Sequence, residues 1–395
     1  MNYGDGQFET PCFIIDKEHL DNNINSLFSA INTYWSNPIV GYSFKTNNLP
    51  WLLTYLRNQG FYAEVVSGLE YDLALRMGYP PEHIIYNGPI KSEESFRYAI
   101  KHGSLVNIDS KIELEYIKSL DKELQGPCHI GVRVNVDLET YCPGQTILGD
   151  QGGRFGFSAE TGELRACFDA VRSTNHFEVK CLHLHTNSKT RSLEVFSAIA
   201  EYACHIIKSY QLELDYIDIG GGFFGGPDAI FSFLDYFRTI KEVMETHNLG
   251  DIPIIVEPGA SIIASPIEYV CRVTDVKEAV RGRFVVLDGT RMHIDPMKHK
   301  SAYKYSIISG SESVASKQVL CGATCMEDDR LMILQNETQL VTNDIVIFRQ
   351  CGSYTMVLSP LFINYFPNVY LRDGEAHQLV RSKWGNDQFL QKILW

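Results

Sequence analysis

The chain has 395 residues, of which 45% are hydrophobic and 21% charged, with a net charge of -13. That length exceeds one small core and suggests two or three domains, or one large barrel with a companion; the acidic balance disfavours an electrostatic grip on nucleic acid. The opening MNYGDGQFETP lacks a basic segment followed by an apolar one, and no run of about eighteen apolar residues occurs, so neither export nor membrane spanning is supported and a cytoplasmic protein is expected.

In chain order, TPCFIIDKEHL reads first as a strand that could belong to either domain. Short apolar runs then alternate with amphipathic ones. The strand-like runs cover residues 39–44, 61–66, 83–87, 104–108, 129–136, 179–185, 214–219 and 252–257. Helix-like stretches such as LPWLLTYLRNQG, SGLEYDLALRMG, SEESFRYAIKHG and LEVFSAIAEYACHIIKSY lie between them, several ending in glycine as helices often do. Eight such units in about 220 residues predict a (β/α)8, TIM-like barrel. A doubly wound open sheet is the rival, but it usually has fewer units and an early Gly-rich turn. Beyond residue 262 the pattern becomes β-rich with turn residues between runs, which predicts a C-terminal all-β domain, a sandwich or small barrel. The expected division is a barrel over 22–262 and a β domain over 263–395 together with 1–21.

The ten cysteines lie singly, without Cys-x-x-Cys spacing, so neither a metal centre nor a disulfide framework is expected. In such a barrel chemistry sits at the C-terminal ends of the strands. There the sequence places Lys45, Glu64, Arg133, His185, Gly220, Gly221, Gly222 and Glu257. Each has a bland reading: a solvated loop lysine, a satisfied core histidine, a flexible glycine turn, a strand-end acid. Together, a lysine, a nest of backbone N–H groups, a histidine able to stack and a carboxylate are what pyridoxal 5′-phosphate needs. The lysine would take its aldehyde, the nest its phosphate, and the acid its ring nitrogen. Lys45 ends an apolar strand, and desolvation there is expected to favour the neutral amine.

With its YSFKTN, AEVVSGLE, IIYNGPIKS, RFGFS, HLHTNS, DIGGGFFGG, EPG, CGATCMEDD and GSYTM segments, in that order, the chain resembles the fold-type III PLP-dependent decarboxylases. That family includes diaminopimelate, ornithine, arginine and carboxynorspermidine decarboxylases and shares its barrel with alanine racemase. The resemblance implies a homodimer with shared active sites, acting on a small-molecule amino-acid substrate. It implies that Lys45 carries the covalent link to the cofactor and that His185 stacks on its ring. Ser188, the three glycines and Tyr354 would surround the phosphate, Glu257 would pair with the ring nitrogen, and Arg133 and Gly259 would line the pocket. Glu64 stands where the family often has aspartate. Cys325 would enter from the neighbouring subunit as proton donor, with Lys45 the alternative.

Two departures bear on the substrate. The acidic residue that usually follows the mobile cysteine is Met326 here, with Glu327 and Asp328 coming later, and the arginine common after EPG is Ala260. Arg154, Arg291 and His293 are the cations that could substitute. An apolar side chain where a distal ammonium is normally paired argues against a bare diamino acid. The expected activity is therefore decarboxylation of an amino acid with a citryl- or acyl-linked far end, in siderophore or secondary metabolism. The alternative is a diaminopimelate or polyamine-pathway decarboxylase. A racemase or a non-catalytic PLP-binding protein is a more distant reading, since the CGATC motif is kept.

Overall fold

Valine and isoleucine crowd the strand-like runs, and in Ile39–Ser43, Ile84–Tyr86 and Ile254–Val256 every residue is buried. Parallel strands covered by helices on one face and by the barrel interior on the other require this. The computed structural model describes residues 8–147 and 149–391. After β1 (Cys12–Asp16) come β2 (Ile39–Ser43), β3 (Tyr62–Val65), β4 (Ile84–Tyr86), β5 (Leu105–Ile108), β6 (Cys128–Asn135), the short β7 (Phe157–Ser158), β8 (Phe177–His183), β9 (Tyr216–Asp218) and β10 (Ile254–Val256). Strands β2, β3, β4, β5, β6, β8, β9 and β10 pair in parallel in that order. The ring closes where Ile255 and Val256 of β10 pair with Ile39 and Val40 of β2. An open doubly wound sheet has no such pairing, so the barrel expectation holds.

Helices follow the strands as the glycine and serine punctuation predicts. Ser67 and Ser92 cap their helices by accepting the Glu70 and Ser95 N–H groups, each at 3.2 Å. Gly60, Gly78 and Gly103 stand just past helix ends at φ of +89°, +81° and +80°, the left-handed conformation that stops a helix.

The chain divides into two units, residues 25–261 and residues 1–24 with 262–395. The second contains β11 (Ile267–Ala279), β12 (Gly282–Leu287), β13 (Tyr305–Ile308), β14 (Val314–Cys321), β15 (Arg330–Thr338), β16 (Ile345–Phe348), β17 (Asn368–Asp373) and β18 (Ala376–Arg381). Its sheet runs β15-β14-β12-β11-β1-β17-β18, with β16 joining β11 and β13. The opening strand, β1, pairs with β11 and β17 and so belongs to the β-rich unit. Among the described residues no helix is long and apolar enough to cross a membrane.

The barrel interior is layered. Ile39, Ile85, Cys181 and Ile255 form a buried cluster, with Tyr62, Leu105 and Tyr216 packed against it. Each apolar side chain so buried contributes about 1.5–3 kcal/mol. Side chains two residues further along a strand share its face. That step leads to Gly41, Glu64, Asn87, Asn107, His183, Asp218 and Glu257. All but the glycine are polar, and those six are buried. A polar floor thus lies on an apolar one, at the end of the barrel where the strands finish.

Candidate active site

Lys45 sits in a single 3-10 turn, Phe44–Thr46, directly after β2. Phe44 and Thr46 are buried, which leaves the lysine between them as the residue that projects. Gly259 lets the Glu-Pro-Gly turn lie against it, since a Cβ there would fall 2.1 Å from Thr46 Oγ1. The Lys45 side chain is 36% exposed and its Nζ lies 2.8 Å from Glu64 Oε2. The structure therefore corrects the expectation of a desolvated amine: the lysine is partly exposed, and a buried carboxylate, also bonded by Ser43 Oγ at 2.6 Å, fixes its position.

Three carboxylates of the polar floor are tied together by two amides. Asn87 Nδ2 donates to Glu64 Oε1 at 3.0 Å and to Glu257 Oε1 at 2.5 Å. Asn107 Nδ2 donates to Asn87 Oδ1 at 2.8 Å and to Asp218 Oδ2 at 3.2 Å. Asp218 Oδ1 accepts the Gly220 N–H at 2.9 Å, and His183 Nε2 faces Glu257 Oε2 at 3.5 Å. Burial, and then the neighbouring Glu257 charge, push the Asp218 carboxyl well above the usual carboxylate range. Burial also opposes charge on Glu257, but His183 and then Lys45 outweigh it and hold that carboxyl well below its ordinary value. The two shifts run in opposite directions, so of this pair Asp218 holds a proton the more readily and Glu257 ionises the more readily. Ligand-capable atoms of His183, Asp218 and Glu257 lie within 4.8 Å of one another.

His185 lies two residues beyond β8. Burial, followed by the Lys45 and Arg133 charges, lowers it to about 3, so the ring is neutral. Its Nδ1 accepts the Gly221 N–H at 3.2 Å, which leaves the proton on Nε2. Gly220 and Gly222 are left-handed, and a Cβ at Gly220 or Gly221 would fall 2.6 Å from the His185 side chain or 2.3 Å from the Glu257 carbonyl oxygen. The turn must therefore be bare backbone. Ser188 Oγ accepts the Arg191 N–H at 3.0 Å. Arg133 bonds Asp109 and the His185 carbonyl, each at 3.3 Å, and its guanidinium lies 4.7 Å from the Phe155 ring centroid. Exposed Arg154 lies 4.3 Å from the same centroid. A cavity of about 770 Å³ opens here, lined among others by Arg133, Asn135, Arg154, Phe155 and His185.

The remaining candidates belong to the β-rich unit. Cys325 is exposed, on a turn knotted by buried Asp329. That carboxylate accepts from Thr290 Oγ1 at 3.0 Å, Arg291 N at 2.9 Å, Thr324 N at 3.1 Å and Thr324 Oγ1 at 2.6 Å. Met326 is partly buried, Glu327 pairs with Arg330 at 3.8 Å and Asp328 pairs with Lys298. Tyr354 is held at φ +54°, a costly conformation for a side-chain-bearing residue. Of the substitute cations, Arg291 is bound to Asp295 at 2.7 Å, and burial lowers His293 to about 4.

Sequence reasoning missed Asn87, Asn107, His183, Asp218 and Asp329. It also missed Lys91, a fully enclosed ammonium bonded to Glu113 Oε1 at 2.6 Å and to the Gly88 and Asn107 carbonyls, each at 2.9 Å. The period of two that links the polar floor to the apolar cluster was the available signal for the barrel residues. As a set, the residues of the barrel mouth fit a phosphorylated pyridine aldehyde. They offer an amine in the open, a neutral imidazole, a glycine cradle that no side chain could share, and an ionised buried acid.

Comparison with known proteins agrees. A family model described as pyridoxal-dependent decarboxylase, pyridoxal binding domain, matches residues 21–264. A probable diaminopimelate decarboxylase, chloroplastic, from Oryza sativa subsp. japonica is 29% identical over 93% of this chain and 74% of its own length. An L-glutamyl-[BtrI acyl-carrier protein] decarboxylase from Niallia circulans is 25% identical over 97% of this chain and 94% of its own. Among solved structures, a diaminopimelate decarboxylase from M. jannaschii in co-complex with L-lysine superposes with a TM-score of 0.87 at 20% identity, covering 98% of this chain and 93% of that one.

Proposed function

Since the chain belongs to the pyridoxal-dependent decarboxylases, lyases that work with pyridoxal 5′-phosphate, we propose that it removes the α-carboxylate of diaminopimelate or a close relative. The observation that carries this reading is the line Lys45, Glu64, Asn87, Glu257, which sets an accessible amine at one end of a hydrogen-bonded layer and an ionised acid further along it. The bound cofactor supplies an electron sink for the pair left when carbon dioxide departs. Lys45 would offer the amine that holds the cofactor aldehyde, and Glu64 would orient that amine. Glu257 holds a proton at the ring nitrogen. Neutral His185 would lie against the ring, Arg133 and Gly259 would shape the pocket, and Ser188, Gly220, Gly221, Gly222 and Tyr354 would hold the phosphate. Cys325 returns a proton to the α carbon from the neighbouring subunit of a cytoplasmic homodimer, with the barrel division at 22–262 and the β domain at 263–395 plus 1–21.

The substrate has two readings. The diaminopimelate names among the relatives support the alternative raised from the sequence more than its first choice. The modified far end keeps two supports: Met326 in place of an acid, and a relative named for a carrier-tethered glutamyl substrate. The siderophore assignment draws no support from the relatives described. Arg154, which stacks on Phe155 beside the cavity, suits a distal carboxylate under either reading, and Glu327 and Asp328, each already paired, are weaker substrate contacts. Carbon dioxide release from diaminopimelate, ornithine, lysine, arginine and N-citryl-diaminopropionate separates them. Robust turnover of diaminopimelate removes the inference from Met326. Lys45→Ala is expected to abolish the visible absorbance of the purified holoenzyme, and colour persisting in that variant removes the assignment of the lysine.

A further inference from the structure

We propose that Asn87 is a positioning residue that couples the two ends of the cofactor site, so that the proton on the Lys45 linkage and the charge on Glu257 respond to one another. The inference rests on the roles proposed above for Lys45 and Glu257.

A primary amide has two N–H donors and one carbonyl. In Asn87 one donor goes to Glu64, the other to Glu257, and the carbonyl accepts from Asn107. Glu64 in turn holds Lys45. A side chain that merely satisfied a buried acid would need one of those bonds. Asn87 instead spans two acids that serve different atoms of the same ligand, and it is itself locked by Asn107, which has room because residue 131 is glycine. Both amides and all three carboxylates are buried, where the low dielectric strengthens such dipoles.

The groups that act on Lys45 are the acids Glu64, Glu70 and Glu257 and the imidazole of His185, with Arg133 and His183 acting in turn on His185 and Glu257, and Asp218 raised well above the carboxylate range by burial. Taking the two Asn87 N–H dipoles away leaves Glu64 and Glu257 less compensated. Their more negative field then makes the nitrogen of the Lys45 linkage keep its proton to higher pH.

The test is a pH titration of the visible absorbance of holoenzyme, with melting temperature and steady-state kinetics alongside. Asn87→Leu keeps the branched outline and removes both donors. It is expected to raise the midpoint by about one pH unit, tenfold in proton affinity, and to lower kcat about tenfold with KM changed less than about threefold. Asn87→Ser, which is smaller and keeps one donor, is expected to move the midpoint about half as far, and it carries the test if the leucine variant does not fold. A midpoint that stays at the wild-type value while melting temperature falls would show a purely structural residue and overturn the proposal. A wild-type protein without a titrating visible band would instead remove the reading of Lys45 on which it depends.

Discussion

Gly131 offers a test in which backbone propensity and the buried network demand opposite outcomes. The residue lies inside β6 with an ordinary strand φ, so Gly131→Ala would on propensity alone stabilise the protein by about 0.5–1 kcal/mol. A Cβ at that position, however, falls 1.7 Å from Asn107 Oδ1, 2.9 Å from its Cγ and 3.2 Å from Cys181 Cβ. Asn107 must swing away, and Asn87 Oδ1 and Asp218 Oδ2 lose the donors they hold at 2.8 and 3.2 Å. A buried polar group stripped of its partner costs about 1–3 kcal/mol, so two cost about 2–6 and, after the propensity gain, a net loss of about 3 kcal/mol is expected. For a unit of this size that lowers the melting temperature by about 6–12 °C. The signal to follow is ellipticity at 222 nm. Gly126→Ala is the control, because nothing lies within 4 Å of its would-be Cβ, and it is expected to leave melting unchanged or raise it slightly. A Gly131→Ala protein as stable as wild type would refute the claim that Asn107 needs that space.

Two further outcomes concern the β-rich unit. Asp329→Asn keeps shape but weakens the four bonds that knot the Cys325 turn. Amide hydrogen exchange over 322–329 should accelerate and turnover should fall at least about tenfold, as expected for a loss of about 2–3 kcal/mol; unchanged protection counts against the knot. His293 is buried and lowered to about 4. The unfolded chain therefore binds a proton below about pH 6.5 that the folded one refuses, so the His293 contribution is complete above that pH and lost as pH falls toward about 4, at up to about 1.4 kcal/mol per unit. Urea midpoints between about pH 7 and 5 should slope less in His293→Phe, and parallel slopes would sink this account.

What could be read in the sequence was periodic. The barrel strands are dense in Val, Ile and Tyr and are punctuated by glycine at helix ends, so their existence and order were legible to within about two residues. Asn87 and Asn107 fell inside the strand-like runs 83–87 and 104–108, but nothing in those runs marked them as site residues. Both belong to the buried polar layer of the barrel, and their partners Glu64, Glu257 and Asp218 are set by closure of the sheet, beyond any local window. Lys45 was found for an incomplete reason: the apolar strand before it suggested desolvation, whereas its environment is decided by Glu64, nineteen positions on. Lys91 drew no reading of its own, since nothing near it in sequence announces Glu113.

That hidden lysine has a consequence for chemical selectivity. Carbonyl compounds condense with an amine only when its lone pair is free and a path leads to it. The three N–H bonds of Lys91 all end on oxygen, and 1% of the residue meets solvent. Lys45, with about a third of its side chain in the open, has such a path. A reactive aldehyde arriving at this rim therefore meets one competent nucleophile of the two, chosen by enclosure, since both start as the same functional group.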